Sequence, residues 1–126
     1  MFYYYNPNPN NRFHEDCVVR AISKLENREW DSVYLDLCFQ GYKETDMPSV
    51  NRVWNKFLIR LGYSKHVIPN TCPDCYTVQN FCSEHKQGKF LLATGEHVVA
   101  VINGDYYDAW DSGNEVPIYY WHKEVQ

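Results

Sequence analysis

Along the first half of this chain, apolar residues recur at helical spacing. Val18, Ala21, Ile22 and Leu25 are separated by three and four positions, which places them on one face of a helix. Asp16 stands just before them as a favourable N-cap, so the first helix is expected to start there, with Cys17 at its first helical position. Trp30, Val33, Tyr34 and Leu37 predict a second helix from Trp30 to Phe39, with Gly41 following its end. A third is predicted from Pro48 to Leu61, with proline in the first turn and Gly62 as the stop. Its Val50, Val53, Trp54, Phe57, Leu58 and Leu61 face inward. His66-Val67-Ile68-Pro69 reads as a short peripheral strand. Thr77 then caps a short fourth helix ending near Lys86, with Gly88 beyond it.

From Lys89 onward the pattern is that of strands: Lys89 to Thr94, a hairpin over Gly95–Asp111, and Val116 to Trp121. Asn103-Gly104 is the strongest hairpin signal, because a type I′ turn needs positive φ at both central residues. Counting from that turn sets Ile102 opposite Asp105, Val101 opposite Tyr106, Ala100 opposite Tyr107, Val99 opposite Asp108 and His97 opposite Trp110. Alternation then groups His97, Val99 and Val101 on one face with Trp110, Asp108 and Tyr106. Asp108 lies diagonal to His97, within side-chain reach, whereas Asp111 falls on the other face and replaces Asp108 if the turn is longer than two residues. Pro117 demotes the last strand to an edge. Residues 1–10 are aromatic and then turn-like, with Asn6-Pro7-Asn8-Pro9-Asn10, and read as an N-terminal extension without regular structure. Helices first and strands afterwards predict one α+β domain spanning 1–126, N-terminal helices packed on a C-terminal antiparallel sheet.

At 126 residues and 15.0 kDa the chain is long enough for a substantial core. The net charge of −4 is scattered, with no basic patch, which argues against a nucleic-acid partner. No apolar run approaches membrane-spanning length, and Met1-Phe2-Tyr3-Tyr4-Tyr5 does not read as a signal peptide. Five cysteines is an odd count, and without an export signal they are expected to be reduced, cytosolic thiols.

A histidine and a carboxylate on one hairpin suggest a base and its orienter, and a nucleophile is then to be sought. A helix N-terminus favours thiolate over thiol, through its unpaired N–H groups and the positive end of its dipole. Cys17 is so placed, whereas Cys38 falls at the wrong end of the second helix. The expected triad is Cys17 as nucleophile, His97 as base and later acid, and Asp108 as orienter of the imidazole. The Cys17 backbone N–H is one oxyanion donor, and the side-chain amide of Asn11, six residues upstream, is a second candidate.

Asn11-Arg12-Phe13-His14-Glu15-Asp16-Cys17, followed by a buried helix and a C-terminal His97 hairpin, resembles the papain-like cysteine peptidase superfamily. The spacing from residue 11 to Cys17, with Asp before the Cys, is most similar to the bacteriocin-processing peptidase domains of ABC transporters. Asp108-Ala109-Trp110 is similar to the Asn-Ser-Trp of papain, in which the Trp shields the His–Asn pair. The likeness covers about residues 11–25 and 89–112 and extends to small bacterial and phage proteins of this layout. It implies a papain-like fold, a peptide or protein substrate, and hydrolysis of a peptide or other amide bond without a cofactor. Amidase and acyl-transferase chemistry use the same parts. Two departures stand out: Asn11 replaces the family's Gln, one methylene longer, and the chain is much shorter than papain.

Two other readings compete. Cys72-Pro73-Asp74-Cys75 and Cys82-Ser83-Glu84-His85 could supply four ligands to a structural zinc, making the chain a zinc-stabilised binding module with Cys17 in the core. Against that, Val78, Phe81, Cys82 and His85 also form an ordinary buried helical stripe. The other is a non-catalytic interaction protein on the same fold. His14, His66 and His122 have no partners in sequence and are expected at the surface.

Overall fold

The computed structural model describes residues 1–12, 15–70 and 73–123. These form four helices, α1 (Cys17–Glu26), α2 (Trp30–Glu44), α3 (Asn51–Arg60) and α4 (Val78–Glu84), and six strands. The strands are β1 (Phe2–Tyr4), β2 (Ser64–Val67), β3 (Lys89–Ala93), β4 (Val98–Ile102), β5 (Asp105–Asp108) and β6 (Tyr119–Lys123). They make a single sheet in the order β1-β5-β4-β3-β6-β2, so the architecture is α+β.

Both faces of this sheet are covered. Leu91, Ala93, Val98, Ala100 and Trp121 pack against α1, α2 and α3 around Ile22, Leu25, Val33, Leu37, Trp54 and Phe57. Phe90, Leu92, Val99, Val101 and Tyr106 pack on the opposite face against Val78, Phe81 and Cys82 of α4. This explains the unbroken apolar runs Phe90–Ala93 and Val98–Ile102: alternate residues point at two different cores, so neither parity is left to water.

The hairpin register is as expected, with Ala100 opposite Tyr107, Val101 opposite Tyr106 and Ile102 opposite Asp105. Asn103 and Gly104 take φ of 51° and 84°, the positive values a two-residue type I′ turn requires. Asp16 is the N-cap of α1, and Thr77 caps α4 in a capping box with Asn80.

Several expectations fail for identifiable reasons. The sheet is mixed, because residues 2–4, placed in an extension without structure, form β1 parallel to β5. Phe2 packs on Tyr106 and Tyr3 stacks on Tyr107, ring centroids 5.4 Å apart in both pairs, so aromatic contacts outweigh the absence of a strand-like alternation. The last strand starts at Tyr119, after Pro117, and lies between β3 and β2; the proline costs the ladder no donor and does not mark an edge. The edge on that side is β2, two residues earlier than the expected His66–Pro69, and β1 forms the other. Strand β3 stops at Ala93, and α4 ends at Glu84 rather than near Lys86. Helix α3 begins at Asn51, because Pro48–Val50 forms a turn ahead of it.

Helix α2 runs past Phe39 to Glu44 and ends on Thr45 in the left-handed region. Gly41 does not stop it. The chain folds back across this residue, and the Asp46 N–H donates to the Gly41 carbonyl at 2.9 Å. A Cβ at position 41 would lie 2.7 Å from the Asp46 carbonyl oxygen. Gly41→Ala is therefore expected to destabilise the fold by about 1–3 kcal/mol despite alanine's better helix propensity, measured as a lower urea midpoint. A midpoint equal to or above wild type would show that the close approach has room to spare.

Candidate active site

The site lies where the N-terminus of α1 meets the ends of β4 and β5. Cys17 is the first residue of α1, and its N–H is one of the four amides that a helix leaves without an intrahelical acceptor. His97 sits in the turn between β3 and β4. That turn is pinned on Thr94, whose N–H donates to the His97 carbonyl at 2.8 Å and whose Oγ1 accepts the His97 N–H at 3.1 Å. Asp108 ends β5 and is completely buried. Its carbonyl accepts the Tyr5 N–H at 2.8 Å, so β1 fixes the backbone from the other side.

The structure brings Cys17, His97 and Asp108 together. His97 Nε2 lies 2.6 Å from Asp108 Oδ2, and His97 and Cys17 line the same cleft, close enough to act on each other's charge. With Nε2 committed to Asp108, Nδ1 is the ring nitrogen that serves the thiol. The other contacts of Asp108 complete its hydration substitute. Ala109 N–H and Arg20 Nη2 donate to Oδ1 at 2.8 and 3.0 Å, and Ser112 Oγ donates to Oδ2 at 2.7 Å. Trp110 lies over His97, ring centroids 4.8 Å apart. Asp111, the rival carboxylate, instead accepts from Tyr106 Oη and the Gly113 N–H.

Alternation alone does not explain this meeting. By parity His97 and Asp108 belong with Val99, Val101 and Tyr106, which face α4. Both lie beyond the last β4–β5 ladder pair, Ala100–Tyr107, although Asp108 still pairs with Tyr4 of β1, and Asp108 makes its ion pair with Arg20 of α1. Trp110 likewise reaches His97 through a tilted ring contact and not as a ladder partner.

Electrostatics at the site oppose burial. Burial alone pushes the Cys17 thiol up; the His97 hydrogen bond, the Val98 N–H and the charges of His97 and Arg20 outweigh it and hold the thiol below its ordinary value. Burial disfavours charged His97, but the hydrogen bonds to Asp108 and Cys17 and their negative charges raise it to about 9. Asp108 is likewise lowered against its burial by His97, Ser112 and Arg20. The arrangement favours thiolate and imidazolium together, a nucleophile beside a general acid.

The cleft beside Cys17 has a volume of about 870 Å³ and runs between α1, the N-terminal parts of α2 and α3, and the β3–β4 turn. Trp30, Leu37, Trp54 and Tyr119 give it an apolar wall, and Glu15 and Glu96 stand at its lining as carboxylates. Asn11 is not brought to this cleft. It is exposed, takes φ of 53° and donates its N–H to the Asn8 carbonyl at 2.9 Å.

Of the expected zinc ligands, the three that lie among the described residues, Cys75, Cys82 and His85, are not gathered into a metal-binding group. Cys72 lies outside the described residues, as does His14. Cys75 is exposed, Cys82 is buried in the α4 core with its thiol pushed up to about 11 by burial, and His85 Nδ1 lies 3.0 Å from the Phe81 carbonyl. Among the described residues no group of three His, Cys, Asp or Glu could hold a metal ion. His66 is exposed and stacks on Tyr120; His122 is half-buried against Phe90. No helix among the described residues is long and apolar enough to cross a membrane.

Sequence reasoning missed three contributors. Arg20 is 4% exposed, with Nη1 2.6 Å from Asp16 Oδ1 and Nη2 on Asp108. Trp30 Nε1 donates to Asp16 Oδ2 at 2.9 Å, and Ser112 supports Asp108. The Asp16–Arg20 spacing of four on a mostly buried helix was the available signal for the first. Asp16 consequently makes no side-chain cap bond, so its carboxylate does not occupy the first-turn amides of α1. Comparison with known protein families, curated proteins and solved structures found no match.

Two outcomes follow from the charges. In His97→Ala, burial acts on Cys17 with its main opponent removed, so the thiol should titrate above its ordinary value, and alkylation at pH 7 should fall at least about tenfold. Iodoacetamide rates against pH, read on the Cys17 peptide by mass spectrometry, check this; an unshifted profile would break the proposed pairing. The second concerns stability. His97, raised on folding, contributes stability that is complete below its unfolded value of 6.5 and lost as pH rises toward about 9. Cys17, lowered on folding, contributes with the opposite slope, so the two offset in the wild type. In Cys17→Ser only the histidine's share remains, and the urea stability of that variant should decline above about pH 6.5. A level profile between pH 6 and 9 would rule out charge pairing between His97 and Asp108.

Proposed function

We propose that this protein is a papain-like cysteine hydrolase acting on a peptide or other amide bond. The observation that carries the reading is the chain of contacts from Cys17, at a helix N-terminus, through His97 to the buried carboxylate of Asp108. Each contact has a role that amide hydrolysis requires. The Cys17 thiolate attacks the carbonyl carbon, and the developing oxyanion lies against the Cys17 N–H at the positive end of α1. His97, as imidazolium, protonates the departing amine, which leaves a thioester on Cys17 and a neutral imidazole. A water then attacks the thioester while His97 takes its proton, and collapse releases the carboxylic acid and restores the thiol–imidazole pair. Asp108 keeps Nε2 occupied so that Nδ1 faces the sulfur, and Trp110 covers the pair against water. The exposed position of Asn11 gives no support to its expected share in the oxyanion site.

A peptidyl acyloxymethyl ketone, which alkylates activated thiolates, tests the reading. A single adduct on Cys17 is expected, absent in Cys17→Ala and formed at least about tenfold more slowly in His97→Ala. Labelling no faster than that of a free model thiol, or spread over Cys38 and Cys75, would instead favour a non-catalytic protein on the same scaffold.

A further inference from the structure

We propose that Arg20 is a positioning residue of this site: its guanidinium, clamped between Asp16 and Asp108, holds the orienting carboxylate against His97 and supplies the charge that keeps Cys17 a thiolate. The inference rests on the hydrolase reading above and adds to it a residue outside the Cys–His–Asp chain.

Three observations carry it. Arg20 is buried on a helix whose Val19, Ala21, Ile22, Ser23 and Leu25 are also buried, so its charge must be met by protein rather than water. It is met by two carboxylates at once, Asp16 Oδ1 at 2.6 Å and Asp108 Oδ1 at 3.0 Å. The planar fork of a guanidinium can span two such groups in fixed geometry, which a lysine ammonium cannot. Third, Asp16 turns away from the first-turn amides, forgoing a cap bond generally worth about 1 kcal/mol, and spends both oxygens on Arg20 and Trp30. The last residue before the nucleophile and the orienter of its base are thereby joined through one cation.

The consequence is electrostatic. Once the ion pair forms, two buried carboxylates (Asp16 and Asp108) and the half-buried Cys17 thiolate face, among the described residues, two cations, Arg20 and His97. Remove Arg20 and three anions face one, an arrangement the interior resists by taking up a proton. The thiolate is the most basic of the three, so it takes that proton. Among the described residues lining the cleft, the other titratable groups are Glu15 before α1, Tyr34 on α2, Glu96 in the β3–β4 turn and Tyr119 on β6. None of these is a cation that could replace Arg20.

The test is the pH profile of Cys17 alkylation by iodoacetamide, which needs no substrate, with folding followed by circular dichroism. Arg20→Met should move the acid limb upward by about one pH unit, a roughly tenfold slower reaction below the limb. Arg20→Lys, which keeps the charge but spans one carboxylate, should recover most of that shift. Asp16→Asn removes an anion and should move the limb the other way. Lys123→Met, which breaks the Lys123–Glu26 pair at the far end of α1, should leave the profile as in wild type. A merely structural role would move none of these limbs or all of them alike. If Arg20→Met does not fold, the Asp16→Asn profile decides: a limb displaced to lower pH supports the proposal, and coincidence with wild type overturns it. A wild-type limb at the ordinary thiol value would overturn the hydrolase reading and this proposal together. A depressed wild-type limb that Arg20→Met leaves in place would overturn the role of Arg20 alone.

Discussion

Asp108 is a carboxylate with no access to water, and the structure around it is arranged to make that tolerable. Leaving a buried charge uncompensated costs several kcal/mol, so its oxygens must be met by donors of fixed position. Four are present: an imidazole from the β3–β4 turn, a guanidinium from α1, a hydroxyl from Ser112 and the Ala109 amide. Ala109 and Ser112 are local, but His97 and Arg20 come from other elements, and satisfying the carboxylate holds the β3–β4 turn and α1 against the end of β5. The edge strand β1 belongs to the same constraint, since its continuation at Tyr5 binds the Asp108 carbonyl. The meeting of α1 with the sheet ends is thus a consequence of solvating one buried anion without water.

How much of this the sequence carries depends on whether the determining interaction is local. The hairpin is legible because two residues, Asn103 and Gly104, set its turn, and counting does the rest. Cys17 at a helix N-terminus is legible because the cap and the apolar stripe lie within ten residues of it. The parallel pairing of Phe2–Tyr4 with β5 is not, since it joins residues about a hundred positions apart through aromatic contacts. Gly41 misleads for a related reason: a glycine just past a helical stripe reads as a stop, but this one accommodates the backbone of Asp46, a contact that exists only once the chain has folded back. Pro117 misleads because it falls two residues before β6, which begins at Tyr119, instead of inside it.

The site divides along the same line. His97 and Asp108 are found by counting from the turn, although the parity used to group them points at α4 and their contacts are with α1. Arg20 escapes because a basic residue on an amphipathic helix ordinarily belongs to its solvated side. Only the burial of nearly every neighbour on α1 makes it a charge in need of partners. Asn11 shows the reverse error. Its spacing from Cys17 is suggestive, but its left-handed backbone and its bond to Asn8 turn the chain away from the cleft.

In the proposed hydrolase, a carboxylate rather than an amide as the orienter has a cost and a use. Its negative charge strengthens the hold on the imidazolium and helps raise His97 to about 9, which favours the acid needed to protonate a leaving amine. The same charge lies close to a thiolate and works against it. In that reading an uncompensated Asp108 would trade nucleophile for acid, and the role proposed for Arg20, bound to the other carboxylate oxygen, is to limit that trade while leaving the hydrogen bond to His97 in place. On this view Arg20 and Asp108 are one device, a charge pair in which the anion orients the base and the cation protects the thiolate from the anion's field.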